Sequence, residues 1–169
     1  MRVRSFAPIE EVSARVLILG SMPGRESLRM GQYYAHPRNL FWPILGELAG
    51  AAPAFPYPQR VNALKRARIA LWDVLKSCVR AGSLDSDIDD ESLAPNDFKS
   101  FFLQHPKITH VFFNGAKAET VYRKFVLPEA HLKRLRYHRL PSTSPANAAM
   151  PYAQRLKAWQ AIRRVIPRQ

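Results

Sequence analysis

The sequence predicts an α/β protein, a three-layer sandwich with a central four-stranded parallel sheet and helices on both faces. Four short apolar segments have the composition of buried strands, at residues 16–19, 69–72, 110–113 and 137–140. Segments with helical spacing of apolar residues separate them, and this alternation is typical of parallel sheets. Because the composition shows no break, we expect one domain over residues 1–169.

Four helices are predicted between and after these strands. The first starts near Phe41 and runs to about Gly50, and the prolines in 53–58 then form an extended connector. The second opens at 95–97, the third covers 116–126, and the last starts near Pro151. Their apolar stripes indicate sides that face the core.

The charge of the chain indicates a polyanionic partner. Lys and Arg number 26 against 13 Asp and Glu, which gives a formal net charge of +13 and favours nucleic acid. The acidic window 85–91 contains no Lys or Arg, so we expect a solvated loop that faces away from the polyanion, with a helix starting near Glu91. Its spacing excludes a calcium loop.

The location and assembly of the protein are predicted from what the sequence lacks. No apolar run reaches the ~20 residues of a spanning helix, and the N-terminus has no signal-peptide core. We therefore expect a cytoplasmic, nucleoid-associated protein without membrane contact, and a monomer. The single cysteine, Cys78, excludes an intramolecular disulfide and a site of several thiolates.

Functional residues are expected where the predicted strands end. The carboxyl ends of parallel strands meet at one edge of a sheet, where their loops form a site. The first strand is followed by a Gly-Ser-Met-Pro-Gly loop from Gly20, the second by Asp73, and the fourth by the segment 141–147. Asn114 and Gly115 after the third strand are interpreted as a strand-to-helix turn.

Several familiar chemistries do not fit these loops. The Gly20 loop has no Gly-Lys-Ser/Thr sequence for binding nucleotide phosphates. Ser142 or Ser144 near His138 lacks the Gly-x-Ser-x-Gly elbow of a serine hydrolase. His36 and His138 lack metal-ligand spacing, so we expect neither a metal nor a cofactor.

A neutral pocket on a basic protein suits hydrolysis of an N-glycosidic bond in DNA. The sugar becomes cationic in the transition state, and the neighbouring phosphates stabilise it. The protein then has to place a water, donate hydrogen bonds to the departing base and hold that base outside the helix. An amide such as Asn39 orients a water without ionising, and Tyr33, Tyr34 or Phe41 offers a ring for stacking.

These motifs together resemble the uracil-DNA glycosylase superfamily, and most of all its hypoxanthine-DNA glycosylase branch, over about residues 16–159. They are Gly-Ser-Met-Pro-Gly, Tyr-Tyr-Ala-His-Pro-Arg-Asn-Leu-Phe-Trp, Leu-Trp-Asp-Val-Leu and Leu-Pro-Ser-Thr-Ser-Pro-Ala-Asn. The resemblance implies a DNA groove across the carboxyl ends of the strands. It also implies a monofunctional glycosylase for deaminated bases, chiefly hypoxanthine. The alternatives are a uracil or mismatch glycosylase and an inactive nucleic-acid-binding domain.

The resemblance assigns roles to matching positions only. Asn39 falls at the catalytic amide, Tyr34 at the aromatic that stacks on the base, and Asp73 where uracil-specific relatives have an Asn. An ionised Asp73 only accepts hydrogen bonds, which suits N1–H of hypoxanthine better than uracil, and its alternative role is a helix N-cap. Met22 replaces an Asn of mismatch-specific relatives. The implied base pocket comprises Gly20, Ser21, Met22, Pro23, Tyr34, Phe41 and Asp73.

The segment 142–147 resembles the loop that enters the minor groove. Ser142 stands where relatives have a histidine that stabilises the leaving base, and Ala146 is small for a wedge, so Asn147 or Met150 fills the stack instead. The loop residues are Ser142, Thr143, Ser144, Pro145, Ala146 and Asn147. The candidates for phosphate contacts are Lys117, Arg139 and Arg155.

Overall fold

The computed structural model describes residues 1–168 and contains the predicted parallel sheet. Its strands are β2 (Val16–Gly20), β3 (Ile69–Asp73), β6 (His110–Asn114) and β7 (Arg136–Leu140). They lie in the order β3-β2-β6-β7, with every neighbouring pair parallel. All four predicted strands are confirmed. Their carboxyl ends lie at one edge of the sheet, and the last residues of the strands are Gly20, Asp73, Asn114 and Leu140.

Within residues 1–168, six α-helices surround this sheet. They are α1 (Arg25–Met30), α2 (Phe41–Ala49), α3 (Tyr57–Arg66), α4 (Phe98–Gln104), α5 (Ala116–Val121) and α6 (Tyr152–Arg163). The four predicted helices are confirmed. The third comprises α5 and a π-helical turn over Tyr122–Val126, and α2 ends at Gly50, whose φ of 72° is left-handed.

The sequence did not predict α1 and α3. Pro58 lies in the first turn of α3, where a proline is tolerated because its missing N–H has no helical partner. The extended connector therefore ends at Pro56, and its prediction through Pro58 is wrong.

A second, three-stranded antiparallel sheet lies beside the first. It has the order β1-β4-β5, with β1 (Arg2–Arg4), β4 (Leu75–Val79) and β5 (Ala94–Pro95). Only Val74 separates β3 from β4, so no turn sequence marked the boundary. This sheet brings the segment after β4 towards the carboxyl edge of the parallel sheet.

The core consists of two apolar clusters, one on each face of the parallel sheet. Alternate residues of β2 point to opposite faces, so Leu17 and Leu19 belong to one cluster and Val16 and Ile18 to the other. The first cluster includes residues of α4 and α5, and the second includes residues of α2, α3 and α6. This arrangement is the predicted three-layer sandwich. No helix within residues 1–168 has the length and apolarity to cross a membrane.

Candidate active site

A cleft of about 1290 Å³ lies at the carboxyl edge of the parallel sheet. The loops after β2, β3, β6 and β7 meet there, as expected for an open parallel sheet. Among the predicted site residues, the cleft is lined by Gly20, Ser21, Met22, Pro23, Tyr34, Asn39, Asp73, Arg139, Ser142, Thr143, Ser144, Pro145, Ala146 and Asn147.

Gly20, Tyr34 and Asp73 form the floor of this cleft. A Cβ on Gly20 would stand 2.6 Å from Asp73 Oδ1 and 2.8 Å from the Tyr34 hydroxyl oxygen, so only glycine fits. The Tyr34 hydroxyl and Asp73 Oδ2 are buried and have no hydrogen-bond partner within residues 1–168. Unpartnered buried polar groups are costly, and they are retained where a ligand satisfies them.

The backbone and ring of Tyr34 are held in an unusual position. Its φ of 53° is left-handed, which is uncommon for a residue with a side chain. Its ring stacks on Phe41, with centroids 4.1 Å apart and planes inclined by 19°. Phe41 is fully buried in the core as the first residue of α2. The prediction that Phe41 lines the pocket is therefore wrong, because it supports Tyr34 from behind.

Asp73 is 3% exposed, and its surroundings favour the uncharged acid. Burial and the nearby Asp85 carboxylate raise the pKa of Asp73 to about 7, although Arg80 opposes the shift. The helix N-cap alternative is wrong, because β4 rather than a helix follows β3. Asp73 is thus a titratable group at the floor of the cleft.

Asn39 lies half-buried on the cleft wall, and its amide is oriented by the start of α2. The Phe41 backbone N–H donates to Asn39 Oδ1 at 2.9 Å. The next residue, Leu40, donates its N–H to the Thr143 carbonyl at 3.0 Å. A carbonyl oxygen has two lone pairs, so Asn39 Oδ1 retains one for a water molecule.

Asn114 clamps the loop that follows β7. Its Nδ2 donates to Thr143 Oγ1 at 2.9 Å, and the Thr143 N–H donates to Asn114 Oδ1 at 2.9 Å. Thr143 is fully buried, so its side chain holds the loop rather than contacting DNA, which corrects its predicted role. The sequence predicted only a turn at Asn114 and not this pair of hydrogen bonds. The position of Asn114 at the carboxyl end of β6 was the available indication of a role in the site.

The rest of the loop is ordered by its own polar groups. The Ser144 N–H donates to Ser142 Oγ at 3.1 Å, and the Ala146 N–H donates to Ser144 Oγ at 3.2 Å. Asn147 Nδ2 donates to the Ser142 carbonyl at 3.1 Å. Ala146 is exposed on the short helical turn Pro145–Asn147.

Two of the three predicted phosphate contacts do not lie at the cleft. Arg155 is 2% exposed and donates to the carbonyls of Asn147 and Met150, so burial rules out a phosphate contact. Lys117 pairs with Asp90 at 2.6 Å. Arg139 does line the cleft and lies 3.4 Å from a Glu119 oxygen.

Arg25 and Arg38 also line the cleft with exposed side chains, and the sequence did not predict their position. Arg25 directly follows the Gly20 loop and Arg38 directly precedes Asn39, and this proximity to predicted site residues was the available signal. Together with Arg139 they place three guanidinium groups at the cleft.

The acidic window also reaches the cleft. Ser21 Oγ donates to Asp85 Oδ1, and the Arg25 N–H donates to Ser83 Oγ at 3.2 Å. Asp85 therefore lines the cleft, and the prediction that this window faces away is wrong for that residue. The position of Asp85 depends on β4, which the sequence did not predict. The expected start near Glu91 is a short 3₁₀ turn over Asp90–Ser92.

The described residues contain no cluster of three or more His, Cys, Asp or Glu side chains arranged to hold a metal ion. His36 lines the cleft, and its Nδ1 accepts from the Arg38 N–H at 3.1 Å. His138 stacks on Phe112 with centroids 4.8 Å apart.

A polar cleft at the carboxyl edge of a parallel sheet, on a chain with a net charge of +13, is typical of an α/β protein that acts on nucleic acid. The chain belongs to the uracil DNA glycosylase superfamily, whose sequence profile matches residues 8–163. It is 37% identical to a hypoxanthine DNA glycosylase of Methanosarcina acetivorans over 162 residues, which are 94% of this chain and 96% of that protein. It is 41% identical to the hypoxanthine DNA glycosylase of Methanosarcina barkeri over 119 residues, 70% of this chain and 74% of that protein.

A solved structure has the same fold. The solution NMR structure of a Methanosarcina acetivorans protein, provisionally described as a uracil DNA glycosylase, superimposes with a TM-score of 0.80. The two sequences are 36% identical, and the match covers 98% of this chain and 99% of the other.

Proposed function

We propose that this protein is a monofunctional DNA glycosylase that removes deaminated bases, chiefly hypoxanthine, in base excision repair. The similarity to two hypoxanthine DNA glycosylases supports this substrate. The observation that carries the proposal is the cleft floor, where the Asp73 carboxyl and the Tyr34 hydroxyl are buried without protein partners beside Gly20.

In the proposed mechanism, Asn39 Oδ1 orients a water towards C1′ of the sugar. As the bond from C1′ to purine N9 breaks, the water oxygen bonds to C1′, one of its protons is released, and N9 gains a proton. The phosphates of the DNA stabilise the cationic sugar in the transition state. Orienting a reactant and a catalytic group supplies a large part of such rate increases.

Asp73 reads the base in this proposal, and Gly20 and Ser21 contribute backbone contacts. The ionised carboxylate accepts a hydrogen bond from N1–H of hypoxanthine, which adenine lacks. The sequence alone predicts an ionised Asp73. Because the pKa of Asp73 is raised to about 7, both the carboxylate and the neutral acid are populated near neutral pH.

The cleft composition supports hydrolysis without strand cleavage. Strand cleavage by a glycosylase requires an amine nucleophile, and in the part of the chain that the structure describes no lysine lines the cleft. We therefore propose a monofunctional enzyme. Incubation with damaged DNA and borohydride tests this point, and a trapped covalent adduct would overturn it.

The direct test is release of free base from three duplexes containing hypoxanthine, uracil or xanthine. The proposal predicts that hypoxanthine is released fastest. Faster uracil release would favour a uracil or mismatch glycosylase, and binding without any base release would favour a non-catalytic DNA-binding domain.

Three further features belong to the same proposal. We propose that the chain forms one domain over residues 1–169, acts as a monomer, and works in the cytoplasm on nucleoid DNA. Sedimentation of the purified protein tests the second feature, and a mass of twice 19.3 kDa would refute it.

A further inference from the structure

We infer that the Tyr34 hydroxyl reads the base together with Asp73, donating a hydrogen bond to O6 of the extruded purine while Asp73 accepts from N1–H. The inference rests on the proposed function and deepens it. It replaces the stacking role that the resemblance implies for Tyr34, because a ring whose hydroxyl meets the edge of a base does not also stack on that base. The 6-oxopurine edge, rather than the purine ring alone, becomes the feature that the cleft selects.

The first support is the position of the two groups. Both lie within hydrogen-bond distance of the point that a Gly20 Cβ would occupy, Asp73 Oδ1 at 2.6 Å and the Tyr34 oxygen at 2.8 Å. Because Gly20 has no Cβ, the Asp73 carboxyl and the Tyr34 hydroxyl both approach its backbone closely and lie side by side at the cleft floor. A base edge that reaches this part of the floor meets both groups.

The second support is that the Tyr34 hydroxyl and Asp73 Oδ2 have no hydrogen-bond partner within residues 1–168. Tyr33, the neighbour of Tyr34, donates its hydroxyl proton to the Ala7 carbonyl at 2.9 Å. The Tyr34 hydroxyl is buried and has no such partner within residues 1–168. A buried donor without an acceptor is expensive, and a ligand acceptor would remove that cost.

The third support is the orientation of Tyr34. Stacking on the fully buried Phe41 fixes the plane of its ring, and its left-handed backbone is held by the surrounding structure. Burial raises the pKa of Tyr34 above its usual range, so the hydroxyl keeps its proton and acts as a donor.

The pair distinguishes purines by the pattern of their edges. Hypoxanthine presents an O6 acceptor beside an N1–H donor, and this matches a hydroxyl donor beside a carboxylate acceptor. Adenine presents an amino donor beside an N1 acceptor, which is the reverse. A site built on buried hydrogen-bonding groups rejects a mismatched edge strongly, because those groups stay unpaired.

The test combines Tyr34→Phe with two substrates. Single-turnover base release is measured from duplexes with hypoxanthine and with 6-thiohypoxanthine, whose sulfur is a weak acceptor but whose N1–H remains. We expect Tyr34→Phe to slow hypoxanthine release about 10- to 100-fold, as for one lost hydrogen bond to a buried group, and thio-substrate release less than about threefold. Tyr122→Phe is the control, because its hydroxyl lies in the core, 3.5 Å from the Tyr137 hydroxyl.

Three outcomes would overturn the inference. They are equal hypoxanthine release by Tyr34→Phe and wild type, equal slowing on both substrates, and equal slowing by Tyr122→Phe. If Tyr34→Phe does not fold, base release by the wild-type protein from the two substrates is compared instead. Release of the thio base at the same rate as hypoxanthine would contradict a hydrogen bond to O6. No hypoxanthine release by wild type would refute the proposed function itself, which distinguishes the two failures.

Discussion

Asp73 combines a buried position with a task that requires its charged form. Its pKa of about 7 means that the carboxylate able to accept from N1–H forms only as pH rises through neutrality. We predict that kcat/KM for hypoxanthine increases between pH 6 and pH 8, because this ratio reports ionisations of the free enzyme. Asp73→Asn should flatten that rise, and the same rise in Asp73→Asn would assign it to another group.

Gly20 is the residue that leaves room for the base edge. In Gly20→Ala the new methyl would stand 2.6 Å from Asp73 Oδ1 and 2.8 Å from the Tyr34 oxygen. We predict at least about a hundredfold loss of hypoxanthine release, since a displacement of about 1 Å costs that much. Gly24→Ala is the matched control, because its Cβ would meet no atom within 4 Å. Equal activities of the two variants would contradict the prediction.

At the scale of elements, the clamp between β6 and the loop after β7 connects two parts of the site. Thr143→Val would leave Asn114 Nδ2 buried without its acceptor, at a cost of about 1–3 kcal/mol in the free energy of unfolding. Urea denaturation measures this loss, and base release should fall with it. Thr143→Ser keeps the hydroxyl and should retain most of both. Similar losses in the two variants would show that the hydroxyl is not the important group.

The sequence predicted the central elements because their patterns are local. The strand of Val16 is a continuous apolar run that is buried along its whole length, and the helix of Phe41 has the helical spacing of apolar residues. The helix at Tyr57 was missed because its proline suggested an extended segment, and β4 was missed because no turn separates it from β3.

The sequence predicted those residues of the candidate site that belong to a single local segment. Gly20 and Asp73 needed only the rule that parallel strands present their carboxyl ends at one edge, and Asn39 was predicted from the resemblance of its motif. The fully buried Phe41 and Thr143 and the placement of Asp85 depend on packing between distant segments. A one-dimensional pattern does not contain that packing.

At the scale of the whole molecule, the charge of +13 predicts DNA binding that weakens with salt. Each neutralised phosphate contributes roughly 0.9 to the slope of log K against log salt. Arg38→Ala, at the cleft, should lower that slope by about one. Arg66→Ala is the control, because this exposed residue ends α3 and lies near the amino end of β3. Fluorescence anisotropy at several salt concentrations measures both, and equal slopes would remove Arg38 from the DNA interface.

The proposed mechanism depends on the Asn39 amide, which orients the attacking water. Single-turnover release of hypoxanthine is compared between Asn39→Ala and the control Asn62→Ala, whose residue is exposed on α3. We expect a loss of about 10³-fold for Asn39→Ala, within the range for a positioned catalytic group, and an unchanged rate for Asn62→Ala. Hypoxanthine release by Asn39→Ala within about threefold of wild type would refute the role of Asn39.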